Sequence, residues 1–208
     1  MPLNALKPWR PILVAAGLLI IPAAALAQSA PSMAPTPAAE AGPRVPLRFH
    51  LIKDGVWYSL IAEHSGKALE VPAGAEAGDG APLQQNPPTG ADNQLFRFDQ
   101  VRSGYFKIVV KSTGKVLEIK DNSLLDHARV VQDDWTGAEN QMFAPVEDTD
   151  GSFQIIARSS GYAFDVLGGV GATADANPVI VYPAYAAKNH KFKLVEAAAP
   201  ATTGGRVP

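Results

Sequence analysis

The chain repeats itself three times over its central part, and this internal repeat limits the possible folds more than any other feature. Three Ser/Thr-Gly pairs, Ser65-Gly66, Thr113-Gly114 and Ser160-Gly161, are spaced 48 and 47 residues apart. An aromatic residue lies eight positions before each glycine, and apolar residues lie five and six positions before it and three and five positions after it. Repeats of this length are supersecondary units that bury their apolar faces against one another. The sequence therefore predicts three packed copies of one unit over residues 48–196.

Each copy is expected to consist of short β-strands. The β-branched and aromatic runs Trp57 to Ala62, Phe106 to Val110 and Phe153 to Ala157 each end at a Ser/Thr-Gly turn and precede a second apolar segment, which is the pattern of a hairpin. No part of this region has a 3.6-residue apolar period with helix caps. Three copies are too few for a propeller or a long solenoid. The predicted fold is therefore all-β, a β-trefoil of three repeats with pseudo-threefold symmetry.

The segments outside the repeats differ in composition. Lys7 and Arg10 precede an apolar run, and Ala25-Leu26-Ala27 has the small residues of a signal-peptidase site. Residues 1–27 are therefore expected to be a signal peptide that is removed before Gln28, with an uncleaved membrane anchor as the alternative. Ala, Pro, Ser and Gly dominate residues 28–47, a predicted flexible linker, and residues 197–208, a predicted disordered tail. These segments predict a secreted or periplasmic protein with no integral membrane segment after processing.

The composition argues against several classes of function. The chain has no cysteine, which excludes disulfides, a thiol nucleophile and a Cys-based zinc site. Its net charge is −2 with no large basic block, so a nucleic-acid partner is not expected. The four histidines lack metal-ligand spacing, and Asp148-Thr149-Asp150-Gly151 lacks the later ligands of a calcium loop. Because no nucleophile elbow or phosphate loop is found either, we expect a non-catalytic protein without a cofactor or metal.

Two motifs recur in register in the three repeats. Each repeat ends in a variant of Gln-x-Trp, namely Asn93-Gln94-Leu95-Phe96, Asn140-Gln141-Met142-Phe143 and Asn189-His190-Lys191-Phe192. Each also contains a segment similar to Ser-Gly-x-x-Leu-Asp-Val, as at residues 160–166. On these motifs, residues 48–196 resemble a ricin-B-type (R-type) lectin domain. The resemblance implies a β-trefoil that binds a glycan or polysaccharide. Phe replaces Trp in all three motifs, a change that should preserve core packing.

The resemblance also implies a sugar-contacting carboxylate in each repeat. A carboxylate can accept from two sugar hydroxyls, an Asn amide donates and accepts, and an aromatic ring can stack on the C–H face of the sugar. The third repeat supplies Asp165, Tyr182, Tyr185 and Asn189, and the second supplies Glu118, Asp133, Trp135 and Asn140. The first supplies Glu70, Gln85 and Asn93 but no aromatic residue at Asn86-Pro87-Pro88. Only Asp165 keeps the short carboxylate, so the sugar site of the third repeat is expected to be the most important. The site of the second repeat ranks next, and that of the first repeat, which lacks an aromatic residue, ranks last.

Structural roles remain open for several of these residues. Asp165 could accept backbone N–H bonds in its turn, the recurring Asn could tie a loop, and both tyrosines could simply pack; Gln94 and Gln141 are expected to be structural. Two functions therefore remain. One is a carbohydrate-binding protein, favoured by Asp165, Tyr182 and Asn189. The other is a β-trefoil that binds or inhibits a protein partner and whose sugar sites have decayed, favoured by the two Glu substitutions and by His190.

Overall fold

Each repeat forms four short strands in the computed structural model, which describes residues 52–74 and 78–198. The strands are β1 (Trp57–Ala62), β2 (Ala68–Glu70), β3 (Gln84–Asn86) and β4 (Phe96–Arg102) in the first repeat; β5 (Tyr105–Val110), β6 (Val116–Ile119), β7 (Val130–Asp133) and β8 (Phe143–Glu147) in the second; and β9 (Phe153–Ala157), β10 (Ala163–Val166), β11 (Asn177–Tyr182) and β12 (Phe192–Glu196) in the third. A 3₁₀ turn precedes the last strand of each repeat, at Asp92–Gln94, Glu139–Gln141 and Lys188–His190, and a further one lies at Lys120–Asn122.

Six of the strands close into an antiparallel barrel. β1 pairs with β4 and β12, β5 pairs with β4 and β8, and β9 pairs with β8 and β12. The other six form the hairpins β2–β3, β6–β7 and β10–β11. These hairpins also contact one another, because β3 pairs with β11 and single bridges join Pro82 to Val131 and Arg129 to Ile180. A six-stranded barrel with three hairpins is a β-trefoil, so the fold prediction is confirmed.

The Ser/Thr-Gly turns join each barrel strand to its hairpin in the same way in all three repeats. Gly66, Gly114 and Gly161 have φ angles of 68°, 73° and 73°, in the left-handed region that glycine adopts without a steric penalty. Each glycine N–H donates to the carbonyl oxygen four residues earlier, at 2.8–2.9 Å. The turn is therefore set by a short local sequence.

Matching apolar residues of the three repeats fill the interior. Leu69, Leu117 and Phe164 are fully buried, and so are the three residues that replace the motif tryptophan, Phe96, Phe143 and Phe192. Phe143 packs edge-on against Phe164, with ring centres 5.1 Å apart. The Phe substitutions thus keep an aromatic side chain in the core, as the sequence predicted.

The predicted signal peptide and linker and most of the predicted tail lie outside the described residues. Ala197, the first residue of that tail, donates its N–H to the Trp57 carbonyl at 2.8 Å, so pairing with β1 continues one residue beyond β12. Over the described ranges, no helix has the length and apolar character needed to span a bilayer.

Candidate functional site

The three carboxylates of the repeats lie at equivalent places on the hairpins. Glu70 ends β2 and pairs with Gln84, Glu118 lies on β6 opposite Val131, and Asp165 lies on β10 opposite Ile180. The two glutamates are half-buried, whereas Asp165 is only 6% exposed. The fold therefore gives the three carboxylates one backbone setting but different access to solvent.

Side-chain amides surround Glu70 in the first repeat. Glu70 Oε1 accepts from Gln84 Nε2 at 3.1 Å and from Asn86 Nδ2, and Glu70 Oε2 accepts from Gln94 Nε2 at 2.9 Å. Three donors occupy most of the roughly four lone-pair positions of a carboxylate. Glu70 therefore has little capacity left for a ligand.

Glu118 in the second repeat is the least occupied carboxylate of the three. Its Oε2 accepts from Gln141 Nε2 at 3.0 Å, and within the described ranges Oε1 has no hydrogen-bond partner. Burial raises the pKa of Glu118 above its ordinary value, against the opposing hydrogen bond from Gln141, and the nearby Asp133 charge adds to the increase. Glu118 is thus a partly desolvated carboxylate, and its Oε1 accepts no hydrogen bond from the described residues.

Gln141 also fixes the loop that carries Trp135. Its Nε2 donates to the Asp134 carbonyl at 2.8 Å as well as to Glu118, and its Oε1 accepts from the backbone N–H and the hydroxyl of Thr136. Gln94 makes the corresponding bonds in the first repeat. These contacts agree with the structural role expected for both glutamines, and they place the Trp135 loop beside Glu118.

Trp135 and Asp133 differ in their surroundings. The Trp135 side chain is 38% exposed, with Lys107 Nζ 5.5 Å from its ring centre. Asp133 is half-buried and its Oδ1 accepts the backbone N–H of Asp134 at 2.7 Å. The second repeat therefore combines an open carboxylate, a second acid and an accessible aromatic ring.

Both oxygens of Asp165 in the third repeat have close neighbours. Asn189 Nδ2 donates to Asp165 Oδ1 at 2.7 Å, and His190 Nε2 lies 2.9 Å from Asp165 Oδ2. This second contact lacks hydrogen-bond geometry, and over the described residues neither ring nitrogen of the fully buried His190 has a hydrogen-bond partner. Burial lowers the pKa of the neighbouring His64, an effect that the Asp165 charge opposes. Asp165 thus lies beneath the surface among polar side chains.

The aromatic residues of the third repeat form a cluster near its surface. Tyr185 is 46% exposed, and the centre of its ring lies 4.1 Å from the centre of the His190 ring. Tyr182 is half-buried, with its ring between those of Tyr185 and His127. The two tyrosines contact each other edge-on, with ring centres 6.1 Å apart. Both tyrosine rings lie near the ring of the buried His190.

The amide residues named from the sequence make contacts within the protein. Asn93 Nδ2 donates to the Val71 carbonyl at 2.9 Å, and Asn140 Nδ2 donates to the Ile119 carbonyl at 3.0 Å. Gln85 is fully buried; it accepts from Ser65 Oγ and donates to the carbonyls of Ala172 and Ala174 in the third repeat, each at 2.8 Å. These amides therefore join strands, turns and repeats.

Sequence reasoning missed two groups of residues near the candidate sites. Gln84 and Asn86 supply two of the three amide donors to Glu70, and hairpin alternation from Glu70 could have indicated their position. Lys107 lies over Trp135 from a different strand, which no local pattern predicts. No cluster of three metal-ligating side chains occurs among the described residues.

Comparisons with known proteins agree with the observed fold. The model of the family described as ricin-type beta-trefoil lectin domain-like matches residues 47–132 and 92–182. The designed threefold-symmetric protein ThreeFoil has 37% identity and a TM-score of 0.64, over 67% of this chain and 97% of its own. No curated protein sequence matches significantly.

Natural proteins that share the fold include an enzyme and a lectin. An exo-β-1,3-galactanase from Clostridium thermocellum has 30% identity and a TM-score of 0.65, over 70% of this chain and 31% of its own, so this chain spans less than a third of that enzyme. A ricin B-like lectin from Macrolepiota procera, solved with lactose, has 18% identity and a TM-score of 0.57, over 69% of this chain and 97% of its own. At that identity, the lectin supports the fold alone.

Proposed function

Because the chain belongs to the ricin-type β-trefoil lectin domain-like family, we propose that it is a secreted or periplasmic, non-catalytic protein that binds glycans through its second repeat. The lectin-like fold is that of carbohydrate-binding proteins. The site consists of Glu118 as acceptor for sugar hydroxyls, Asp133 as a second acceptor and Trp135 as stacking surface.

The observation that carries this proposal is Glu118 Oε1, which has no hydrogen-bond partner in the part of the chain that the structure describes. A sugar hydroxyl needs an acceptor that is not already saturated, and charge-assisted hydrogen bonds to a carboxylate are the stronger ones. Glu70 has three amide donors, and Asp165 is buried with neighbours at both oxygens. The geometry therefore favours the second repeat over the third, although residue types alone favour the third. Tyr182 and Tyr185 remain a candidate stacking pair of the third repeat.

Calorimetric titration with lactose and β-1,3-galactan tests the site. We choose these probes because one similar enzyme is a β-1,3-galactanase and one similar lectin was solved with lactose. A simple saccharide at a shallow site should bind with a Kd around 1 mM, or about −4 kcal/mol. Glu118→Gln and Trp135→Ala should weaken binding, whereas Glu63→Gln, at a half-buried glutamate of the barrel edge, should not. If Glu118→Gln binds as tightly as the wild type, the assignment of the site is wrong.

The export part of the proposal is supported by the sequence of residues 1–27. The basic residues, apolar run and small-residue site predict cleavage before Gln28. Intact-mass measurement of the protein from the extracytoplasmic fraction should give a chain that begins at Gln28. A mass that still includes Lys7 and Arg10 would contradict export by this route.

A protein-binding scaffold is the second candidate function. Glu70 and Asp165 favour it, because each of these two carboxylates has close polar neighbours within the protein at both of its oxygens. A glycan array distinguishes the candidates: hits that depend on Glu118 support the lectin, and the absence of any hit supports the scaffold.

A further inference from the structure

A groove of about 790 Å³ lies on the barrel wall beside Trp57, away from the three carboxylates. It is lined by the start of β1, the loop Gly90–Asp92, Leu95, Lys111 and the residues that follow β12. This volume lies within the range of ordinary small-molecule sites. Trp57 supplies a half-buried indole ring to the groove.

The charged groups in the groove already have partners. Lys111 Nζ lies 2.8 Å from Asp92 Oδ1, and Glu196 Oε1 lies 2.6 Å from Lys53 Nζ. A strongly anionic or cationic ligand would therefore have to displace an existing ion pair. An indole ring with polar groups around it suits an uncharged ligand that has an apolar face and hydroxyl edges, which describes a sugar.

A line of side chains connects this groove to Trp135. Arg97 Cζ lies 4.9 Å from the Trp57 ring centre, and Arg97 Nε donates to Asp99 Oδ1 at 2.6 Å. Asp99 Oδ2 lies 3.8 Å from Lys107 Nζ, which in turn is 5.5 Å from the Trp135 ring centre. The register places Arg97 opposite Trp57 and Asp99 opposite Lys107 on neighbouring strands. The two tryptophans are thus the ends of one surface strip across β1, β4 and β5.

We propose that this strip is an extended saccharide-binding surface, on which an uncharged polysaccharide that enters at Trp135 continues across β5 and β4 and stacks on Trp57. The proposal rests on the proposed function, since Trp135 belongs to the site of the second repeat. Contacts with several sugar units of one chain add through effective concentration, so a polysaccharide should bind much more tightly than a single sugar. The specific ligand class is therefore a neutral polysaccharide chain.

Tryptophan fluorescence can report on Trp57 directly. The chain has three tryptophans, Trp9, Trp57 and Trp135, so full-length protein with Trp9→Phe and Trp135→Phe retains Trp57 alone. Adding β-1,3-galactan, xylan or mannan should change its emission in a saturable way with at least one of the three. Galactose should not produce this change.

Affinity electrophoresis in gels that contain the same polysaccharides measures the contribution of the strip. Trp57→Ala should weaken polysaccharide binding about tenfold or more and leave lactose binding unchanged. Trp57→Tyr should retain most of the binding because it keeps a stacking ring. Val170→Ala, at a 58% exposed apolar residue of the third repeat, is the control for loss of an exposed side chain and should bind as the wild type does.

The outcomes separate this inference from the function on which it rests. If Trp57→Ala binds polysaccharide as tightly as the wild type while Glu118→Gln does not, the strip is wrong and the site of the second repeat stands. If Trp57→Tyr loses as much binding as Trp57→Ala, stacking on Trp57 is wrong. If the wild type binds neither polysaccharide nor lactose, the strip and the proposed function both fail.

Discussion

His190 Nε2 lies 2.9 Å from Asp165 Oδ2, in the position from which a glutamine Nε2 reaches the carboxylate in the other two repeats. Gln94 donates to Glu70 Oε2 at 2.9 Å, and Gln141 donates to Glu118 Oε2 at 3.0 Å. The residue of the 3₁₀ turn and the hairpin carboxylate differ together among the repeats. Glutamine is paired with glutamate in the first two repeats, and histidine is paired with aspartate in the third. The 3₁₀ turn is thus linked to the hairpin carboxylate in every repeat.

Removing the Asp165 carboxylate should destabilise the domain. Asp165→Ala leaves Asn189 Nδ2 without its acceptor and removes the carboxylate oxygen that lies 2.9 Å from His190 Nε2. The expected loss is about 1–3 kcal/mol, the cost of a buried polar group left unsatisfied. Urea denaturation measures it. Asp54→Ala is the control, since this exposed residue should change stability by only about 0.5 kcal/mol.

The same pair can be tested for coupling. His190→Gln combined with Asp165→Glu recreates the pair found in the first two repeats, so the double variant should be more stable than the sum of the single effects predicts. A coupling free energy of about 0.5–3 kcal/mol is expected for residues in contact. Additive effects would show that the two side chains do not act together.

The core should be the main source of stability. Leu117 is fully buried, and Leu117→Ala should cost about 2–5 kcal/mol by emptying its site. Leu125→Ala, at a 73% exposed residue, should change stability by only about 0.5 kcal/mol. Thermal melting should not respond to a reductant, since the chain has no cysteine, or to a chelator. A chelator-induced fall in Tm would indicate a metal site.

The fold could be predicted from the sequence, whereas the hydrogen-bond partners of the carboxylate in each site could not. Apolar residues such as Leu69 and Leu117 recur in register, and this periodicity determines strands, hairpins and threefold packing. Among the described residues, the difference between Glu118, with one amide donor, and Glu70, with three, depends on which amides of the paired strand and of the 3₁₀ turn reach each carboxylate. Gln85 is an example: its type suits a sugar site, but the structure turns it toward carbonyls of the third repeat. The residue type determines how many hydrogen bonds a side chain can make. The tertiary structure determines whether its partners are other parts of the protein or a ligand.

Lys191 should stabilise the domain in a pH-dependent way. Its Nζ lies 2.6 Å from Asp148 Oδ2 and 2.8 Å from Asp150 Oδ2, and these contacts hold the pKa of both carboxyls below the ordinary value. A carboxyl whose pKa is lowered in the folded state stabilises the domain at pH values above its ordinary pKa of about 4. This stabilisation is lost progressively as the pH falls from about 4 toward the lowered pKa.

Lys191→Met should therefore lower Tm clearly at pH 7, and the difference from the wild type should shrink toward pH 2. Lys193→Met, at a 62% exposed side chain 4.0 Å from Glu63, is the matched control and should show little change at either pH. If Lys191→Met lowers Tm by the same amount at pH 7 and at pH 2, the lysine acts through packing alone.

Glu118→Gln should separate stability from ligand binding. Because burial raises the pKa of Glu118, the folded state holds its proton more tightly than the unfolded state does. Ionised Glu118 therefore costs stability as the pH rises through its raised pKa. Glutamine can still accept from Gln141, so Glu118→Gln should melt at the same or a higher temperature at pH 7. This advantage should vanish at acidic pH, where the wild-type residue is protonated.

Glycan binding should follow the opposite trend with pH. Protonated Glu118 is a weaker acceptor for sugar hydroxyls, so wild-type affinity should fall as the pH drops through the raised pKa. Glu118→Gln should bind weakly throughout. Melting curves and glycan titrations from pH 4 to pH 7 check both statements. If Glu118→Gln is less stable at pH 7, the ionised carboxylate holds Gln141 and the Trp135 loop in place, and the charge is retained for structure rather than for a ligand.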